Sequence, residues 1–218
     1  MKGSLWLIGA ALVLGENFSS AATTTYSYTG PLYLAATGLY SDSMRITGTF
    51  STASALPKNM ALTPIGPYGG SNLVTRYSFF DGVSTYTNVN SVLLYEDFSQ
   101  FSVSTDSSGN IASFNIGLMA PAPPNTVGES MNAIAFSPFL TQATTATSCS
   151  MVIAGACNTI PLNGANVAIS NSPGPVGVWE IESAAAAVPT LSEYALVALG
   201  IGMVMLAVPG QRRRVECH

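Results

Sequence analysis

Side chains able to do chemistry are few in this sequence, and they are spread out. There is one histidine, His218, the last residue, beyond Arg212, Arg213 and Arg214. A Ser-His-Asp or Cys-His relay needs an imidazole beside its nucleophile. None can form in the long stretch between the two ends, and a His-rich zinc or copper site is excluded with it. Lysine chemistry there has only Lys58, next to Pro57, where a solvated side chain is expected. Paired carboxylates remain, and glycoside hydrolysis needs only two. The candidate pairs are Glu96 with Asp97 and Glu180 with Glu182. On a strand, Glu180 and Glu182 share one face and alternate with Trp179 and Ile181. That pattern fits a catalytic pair, or a sugar-binding rim beside Trp179. It also fits a solvated face over a buried Trp179 and Ile181, the ordinary expectation.

Asp81-Gly82 and Asp106 to Asn110 could offer oxygen ligands to calcium. Neither has calcium-loop spacing, and turn chemistry accounts for both. No metal and no cofactor is expected. Cys149 and Cys157 have seven residues between them, with Gly155 and Asn158 as turn formers. In an oxidising compartment they are expected to form a disulfide worth roughly 2–3 kcal/mol at best. Cys217 lies past the arginines and is expected to stay free, on the cytoplasmic side.

The elements that would carry these residues read as strands. Met44, Ile46, Gly48 and Phe50 alternate with Arg45, Thr47 and Thr49 over 43–51. Residues 73–80 are aromatic and β-branched. Asp81-Gly82 then turns the chain into Val83 to Thr87, a hairpin. Residues 91–95 form a short strand. Phe101, Val103 and Thr105 share a face of the next, and Asp106 to Asn110 turn it back into Ala112, Phe114, Ile116 and Leu118. Further strands are expected over 151–154, 165–170 and 176–182. Pro121 to Pro124 reads as a loop dividing a tighter front from a looser back within one domain. Many short strands between Gly, Pro and Asn predict an all-β body, an antiparallel sandwich or barrel.

Sparse charge, with Ser, Thr and Asn as the polar material, suits an extracellular β-protein and also a flexible low-complexity coat. Charged residues are 8% of the 218, and the net charge is −4. Three basic and eight acidic residues between Thr23 and Ser183 leave that stretch at −5. A sparse acidic surface repels phosphate backbones, so nucleic acid is not an expected partner.

The two ends read as addresses. Lys2, the apolar run Leu5 to Gly15 and the small residues Ser20-Ala21-Ala22 have the order of a signal peptide, which places it at 1–22. The β-rich extracytoplasmic domain is then 23–183. Residues 184–218 hold a linker, a second apolar run (Tyr194 to Val208) and the basic tail. As a helix that run spans roughly 22 Å, short for a bilayer core of about 30 Å but workable with thinning. Arg212, Arg213 and Arg214 would stop it, with the tail cytoplasmic.

Val188-Pro189-Thr190-Leu191-Ser192-Glu193-Tyr194, followed by the apolar run and the arginine block, resembles the IPTL-CTERM sorting signal of Gram-negative bacteria. That signal usually reads Ile-Pro-Thr-Leu-Ser-Glu-Trp-Gly. Here Val188, Tyr194 and Ala195 replace Ile, Trp and Gly. The match spans about the last thirty residues. Tyr26 to Gly30, Tyr77 to Val83 and Phe101 to Ile111 are similar to stretches of small PEP-CTERM-type proteins, with Phe80 where Ser is usual. The resemblance implies a non-catalytic surface or extracellular-matrix protein. Its expected route uses the Sec machinery, signal peptidase and the inner membrane, on the periplasmic side. An exosortase-type enzyme would then sort it to the cell surface. Exopolysaccharide is the partner it implies. The alternatives are a carbohydrate-binding module, using Trp179 or Tyr68, Tyr86 or Tyr95, and a carboxylate-dependent glycoside hydrolase.

Overall fold

The computed structural model describes residues 23–67, 71–94, 98–161, 164–171 and 177–183. The expected signal peptide, sorting motif, apolar run and arginine stop lie outside the described residues. So do Glu96, Asp97, Tyr68 and Tyr95. Among the described residues no helix is long and apolar enough to cross a membrane.

The strands, in chain order, are β1 (Thr24–Leu32), β2 (Ala35–Ala36), β3 (Arg45–Thr52), β4 (Thr63–Pro64), β5 (Val74–Phe80), β6 (Thr85–Thr87), β7 (Val92–Leu93) and β8 (Phe101–Thr105). They continue as β9 (Ile111–Ala120), β10 (Ser130–Phe136), β11 (Leu140–Ser148), β12 (Met151–Ile153), β13 (Ala156–Thr159), β14 (Asn166–Asn171) and β15 (Val178–Ser183). Five of them form a sheet in the order β15-β1-β3-β5-β6. A larger sheet runs β2-β14-β11-β10-β9-β8-β4, with β7 also on β9, and β12 pairs with β13. The pairings are antiparallel.

Alternation in β1 sets the architecture. Tyr26 and Tyr28 are buried, and Thr25, Ser27 and Thr29 point the other way. The inward rings meet rings from the larger sheet. Tyr28 lies 5.4 Å from Phe114 and 4.9 Å from Phe136, centroid to centroid; Phe50 lies 5.7 Å from Phe101 and Phe79 5.2 Å from Phe136. The two sheets therefore pack face to face through an aromatic layer, a sandwich-like body. Edge-to-face and offset pairs at these distances add about 0.5–1.5 kcal/mol each beyond area burial. Gly48 makes room for this layer: a Cβ there would stand 2.3 Å from the Ser78 carbonyl oxygen and 2.5 Å from the Phe79 ring.

The larger sheet is covered on its far side too. Leu94, Met119, Met131, Ala133, Cys149, Cys157 and Ile160 form a second, smaller core. Here β9 and β10 bury both faces, so the 117–120 stretch is buried at every position. A disulfide between Cys149 and Cys157 ties β13 to the end of β11 (Cα–Cα 5.8 Å).

Differences from the sequence reading have local causes. Ala112 was expected to share a face with Phe114, but it is exposed. The pairing steps from Ser104↔Ser113 to Thr105↔Ile111, so Ala112 is the extra residue of a β-bulge and Ile111 packs on the core instead. Of the 91–95 strand the described residues show β7 at Val92–Leu93, with Tyr95 outside them, and a 3-10 turn at Phe98–Gln100 leads into β8. Pro121 to Pro124 do not divide a front from a back. They lie in the connection between β9 and β10, which pair side by side over Asn132↔Ala120 to Phe136↔Ile116.

Candidate functional site

The outer face of the five-stranded sheet is an ordered array of hydroxyls. Cross-strand partners in an antiparallel sheet share a face. One row therefore runs Val178–Thr29–Thr47–Phe80–Thr85, the next Glu180–Ser27–Thr49–Ser78–Thr87, and a third Glu182–Thr25–Ser51–Arg76. Neighbouring side chains lie about 4.8 Å apart across strands and about 6.7 Å apart along them. Thr25 and Ser51 hydrogen-bond each other at 2.9 Å, and Thr87 Oγ1 donates to Asn90 Oδ1 at 3.0 Å. Among the described residues, the hydroxyls of Ser27, Thr29, Thr47, Thr49, Ser78 and Thr85 have no intramolecular partner, so they face outward unspent.

Along β5 this face becomes a groove. Thr49, Arg76, Ser78, Thr87, Asn88 and Val89 line a depression of about 350 Å³. The turn after β6 forms its wall. That turn is held by Asn90, whose Oδ1 accepts from the Thr87 backbone N–H at 2.7 Å and whose Nδ2 donates to the Thr85 carbonyl at 2.9 Å. Arg76 is exposed and makes no ion pair among the described residues. Phe80, 43% exposed, stands at the far end of the same strand face.

Glu180 and Glu182 share the outer face of β15, as the alternation implies, and both are exposed. They stand at the opposite edge of the sheet from the groove. Trp179 points inward. Its ring lies 4.8 Å from Tyr28, 5.4 Å from Phe50 and 5.6 Å from Phe114, so it packs against the core, partly buried. The inward direction of Trp179 turns most of its ring toward the core, and Tyr86, offered as a sugar platform as well, is fully buried. Ile181 was expected inside, yet it is 39% exposed, because β15 is an edge strand. Neither Trp179 Nε1 nor the Tyr28 hydroxyl has a hydrogen-bond partner, though both atoms are buried. Burial pushes the Tyr28 phenol up to about 12, and the nearby Thr141 hydroxyl, outside hydrogen-bonding geometry, pulls the other way.

Asp81 does more than turn a hairpin. It is fully buried. Oδ2 accepts from the hydroxyls of Tyr40 (2.7 Å) and Tyr86 (3.1 Å), and Oδ1 from the backbone N–H groups of Val83 (2.8 Å) and Ser84 (2.6 Å). The Tyr33 hydroxyl donates to its carbonyl at 2.8 Å. Burial first, then the Asp81 charge, raises Tyr33, Tyr40 and Tyr86 above the ordinary phenol value. The carboxylate is satisfied without a cation, which reads as structural. Sequence reasoning found the turn here but not the tyrosines, which lie 41 and 48 residues upstream for Tyr40 and Tyr33.

Asp106 is an ordinary turn carboxylate. Its Oδ1 accepts from the N–H groups of Asn110 (2.9 Å) and Ser108 (2.8 Å), and the Asn110 backbone bond leads in holding its pKa low. No group of three or more metal-ligating side chains occurs among the described residues.

Residues 186–214 match the IPTL-CTERM motif. The chain carries an IPTL-CTERM sorting signal. The matched span contains Val188 to Tyr194 and Arg212 to Arg214, and the motif marks exported proteins sorted through their C-terminus. The chain matches no curated protein and no solved structure.

Proposed function

We propose that this IPTL-CTERM protein is a non-catalytic component of the cell surface or extracellular matrix, with a β body that associates with exopolysaccharide. The observation that carries the reading is the sorting motif at 186–214. It gives the chain an address rather than a reaction. Three further features support it. The only histidine is His218, outside the body. A disulfide staples the body, as suits an oxidising compartment. The outer sheet face offers several hydroxyls, those of Ser27, Thr29, Thr47, Thr49, Ser78 and Thr85, with no hydrogen-bond partner among the described residues. On this reading Sec and signal peptidase handle the N-terminus, and the apolar run from Tyr194 holds the chain in the inner membrane. An exosortase-type enzyme then acts at Val188 to Tyr194.

Intact mass and location of the mature protein, taken from its native host, test this directly. The expected protein is extracellular, lacks the residues before about Thr23, and ends near Val188. Retention of residues 189–218 would make it a membrane-anchored ectodomain instead. A full-length cytoplasmic chain with reduced Cys149 and Cys157 would overturn the reading.

A further inference from the structure

The outward face of β5 has the make-up of a site for an acidic polysaccharide. Three successive outward residues, Arg76, Ser78 and Phe80, run along one strand, with Thr49 and Thr47 opposite Ser78 and Phe80 on β3. From first to last they span about 13 Å, the reach of a short oligosaccharide. We propose that this strip and its groove bind a carboxylate-bearing polysaccharide. The proposal rests on the exopolysaccharide reading above and assigns it a site.

Each component has a role set by its chemistry. The Arg76 guanidinium offers a planar fork that matches a carboxylate bidentately. It has no acidic partner among the described residues, so ligand binding breaks no existing pair. Thr49, Ser78 and the Asn88 side chain line the groove and exchange hydrogen bonds with sugar hydroxyls. The exposed Phe80 ring gives an apolar platform for the C–H face of a pyranose. The stretch from Thr23 to Ser183 is acidic overall, at −5, so an acidic chain is held only where Arg76 offsets that field, and charge placement sets its direction. Glu180 and Glu182 lie on the same face three strand spacings away, about 14 Å. They repel an acidic chain laid across the sheet and leave the path along β5 open. Phe80 is 43% exposed on this face, so part of its ring is open to a ligand.

The test uses the mature protein purified from its host and two soluble polymers, polygalacturonate and its fully methyl-esterified form, in affinity electrophoresis. The expected result is retardation by polygalacturonate that falls at least tenfold on methyl esterification, at least tenfold with Arg76→Ala, and severalfold in 0.5 M salt. Phe80→Ala is expected to weaken binding severalfold. Glu180→Gln with Glu182→Gln, on the far edge, should leave it unchanged or slightly stronger. All four positions are exposed, and far-ultraviolet circular dichroism verifies that each variant is folded.

Equal retardation by both polymers, or wild-type binding by Arg76→Ala, overturns the carboxylate site. No retardation by either polymer overturns it as well. In each case the exopolysaccharide reading is judged separately, by whether the native protein co-fractionates with host matrix polysaccharide.

Discussion

Replacing Asp81 should be the most damaging single change in the body. Asp81→Ala leaves the Tyr40 and Tyr86 hydroxyls buried without their acceptor, and frees the N–H groups of Val83 and Ser84. Each stranded buried donor costs about 1–3 kcal/mol. Water can reach the two backbone groups at the turn more readily than the two phenols. The hydroxyls alone then give about 2–6 kcal/mol, so we take about 4 kcal/mol as the expectation. Against a typical total of about 5–15 kcal/mol, that removes a large share of the stability. Asp81→Asn separates geometry from charge. It keeps one oxygen for the backbone donors but turns an N–H₂ toward two phenols, at an expected cost of about 1–2 kcal/mol. Urea unfolding of the disulfide-intact protein reads both. With a slope of about 2 kcal/mol per M, the midpoint should fall about 2 M for the alanine variant and less than about 1 M for asparagine. A loss below about 1 kcal/mol for Asp81→Ala, or equal losses for the two variants, would refute the idea that the carboxylate holds this corner together.

Two further outcomes follow from the same structure. Stability should be flat near neutrality and fall as pH rises above about 10. Tyr26, Tyr28, Tyr33, Tyr40 and Tyr86 all have raised phenol pKa values, so the folded state keeps protons there that the unfolded chain has released. Their contribution is fully present below the unfolded value and is lost as pH climbs through the folded ones. Ultraviolet absorbance of the phenolates should therefore rise together with unfolding, and five independent titrations near 10 would count against it. Reducing the Cys149–Cys157 bond should cost about 2–3 kcal/mol from loop entropy. The loss should concentrate in the small core of Leu94, Met119, Met131 and Ile160, so hydrogen exchange should quicken in β12 and β13 before β1 and β3.

Much of this fold was legible wherever one face of a strand is wet. Residues 43–51 and 73–80 show their period because the polar half is largely open to solvent, whereas in 101–105 the pattern is carried by residue type alone, since Ser102 and Thr105 are buried too. The disulfide was legible from its spacing and expected compartment. β10 and β11 were not. β10 buries Met131 and Ala133 on one side and Ile134 and Phe136 on the other, so its pattern does not alternate. In β11 the buried positions are largely threonines, Thr141, Thr144, Thr145 and Thr147, which composition alone assigns to the surface. Trp179 and the Glu180/Glu182 face followed from alternation. Arg76, Ser78 and Phe80 were visible as residues but not as a strip. Their meaning depends on β3 lying beside them, and on the turn after β6 raising a wall. Both are products of pairings that local sequence does not specify.

The pairing of the first strand with the last has a mechanical consequence. Thr24 lies opposite Ser183, and the ladder runs from there to Thr29 opposite Val178. β15 is held by β1 alone, at the edge of its sheet. A pull on the chain beyond Ser183, resisted by a polymer gripped toward Phe80, acts along β15 and loads its rungs together, in shear. The same pull resisted at Thr24 would open the rungs one after another. A body built this way would hold firmly against drag on what it binds, yet yield easily when its own two ends are drawn apart.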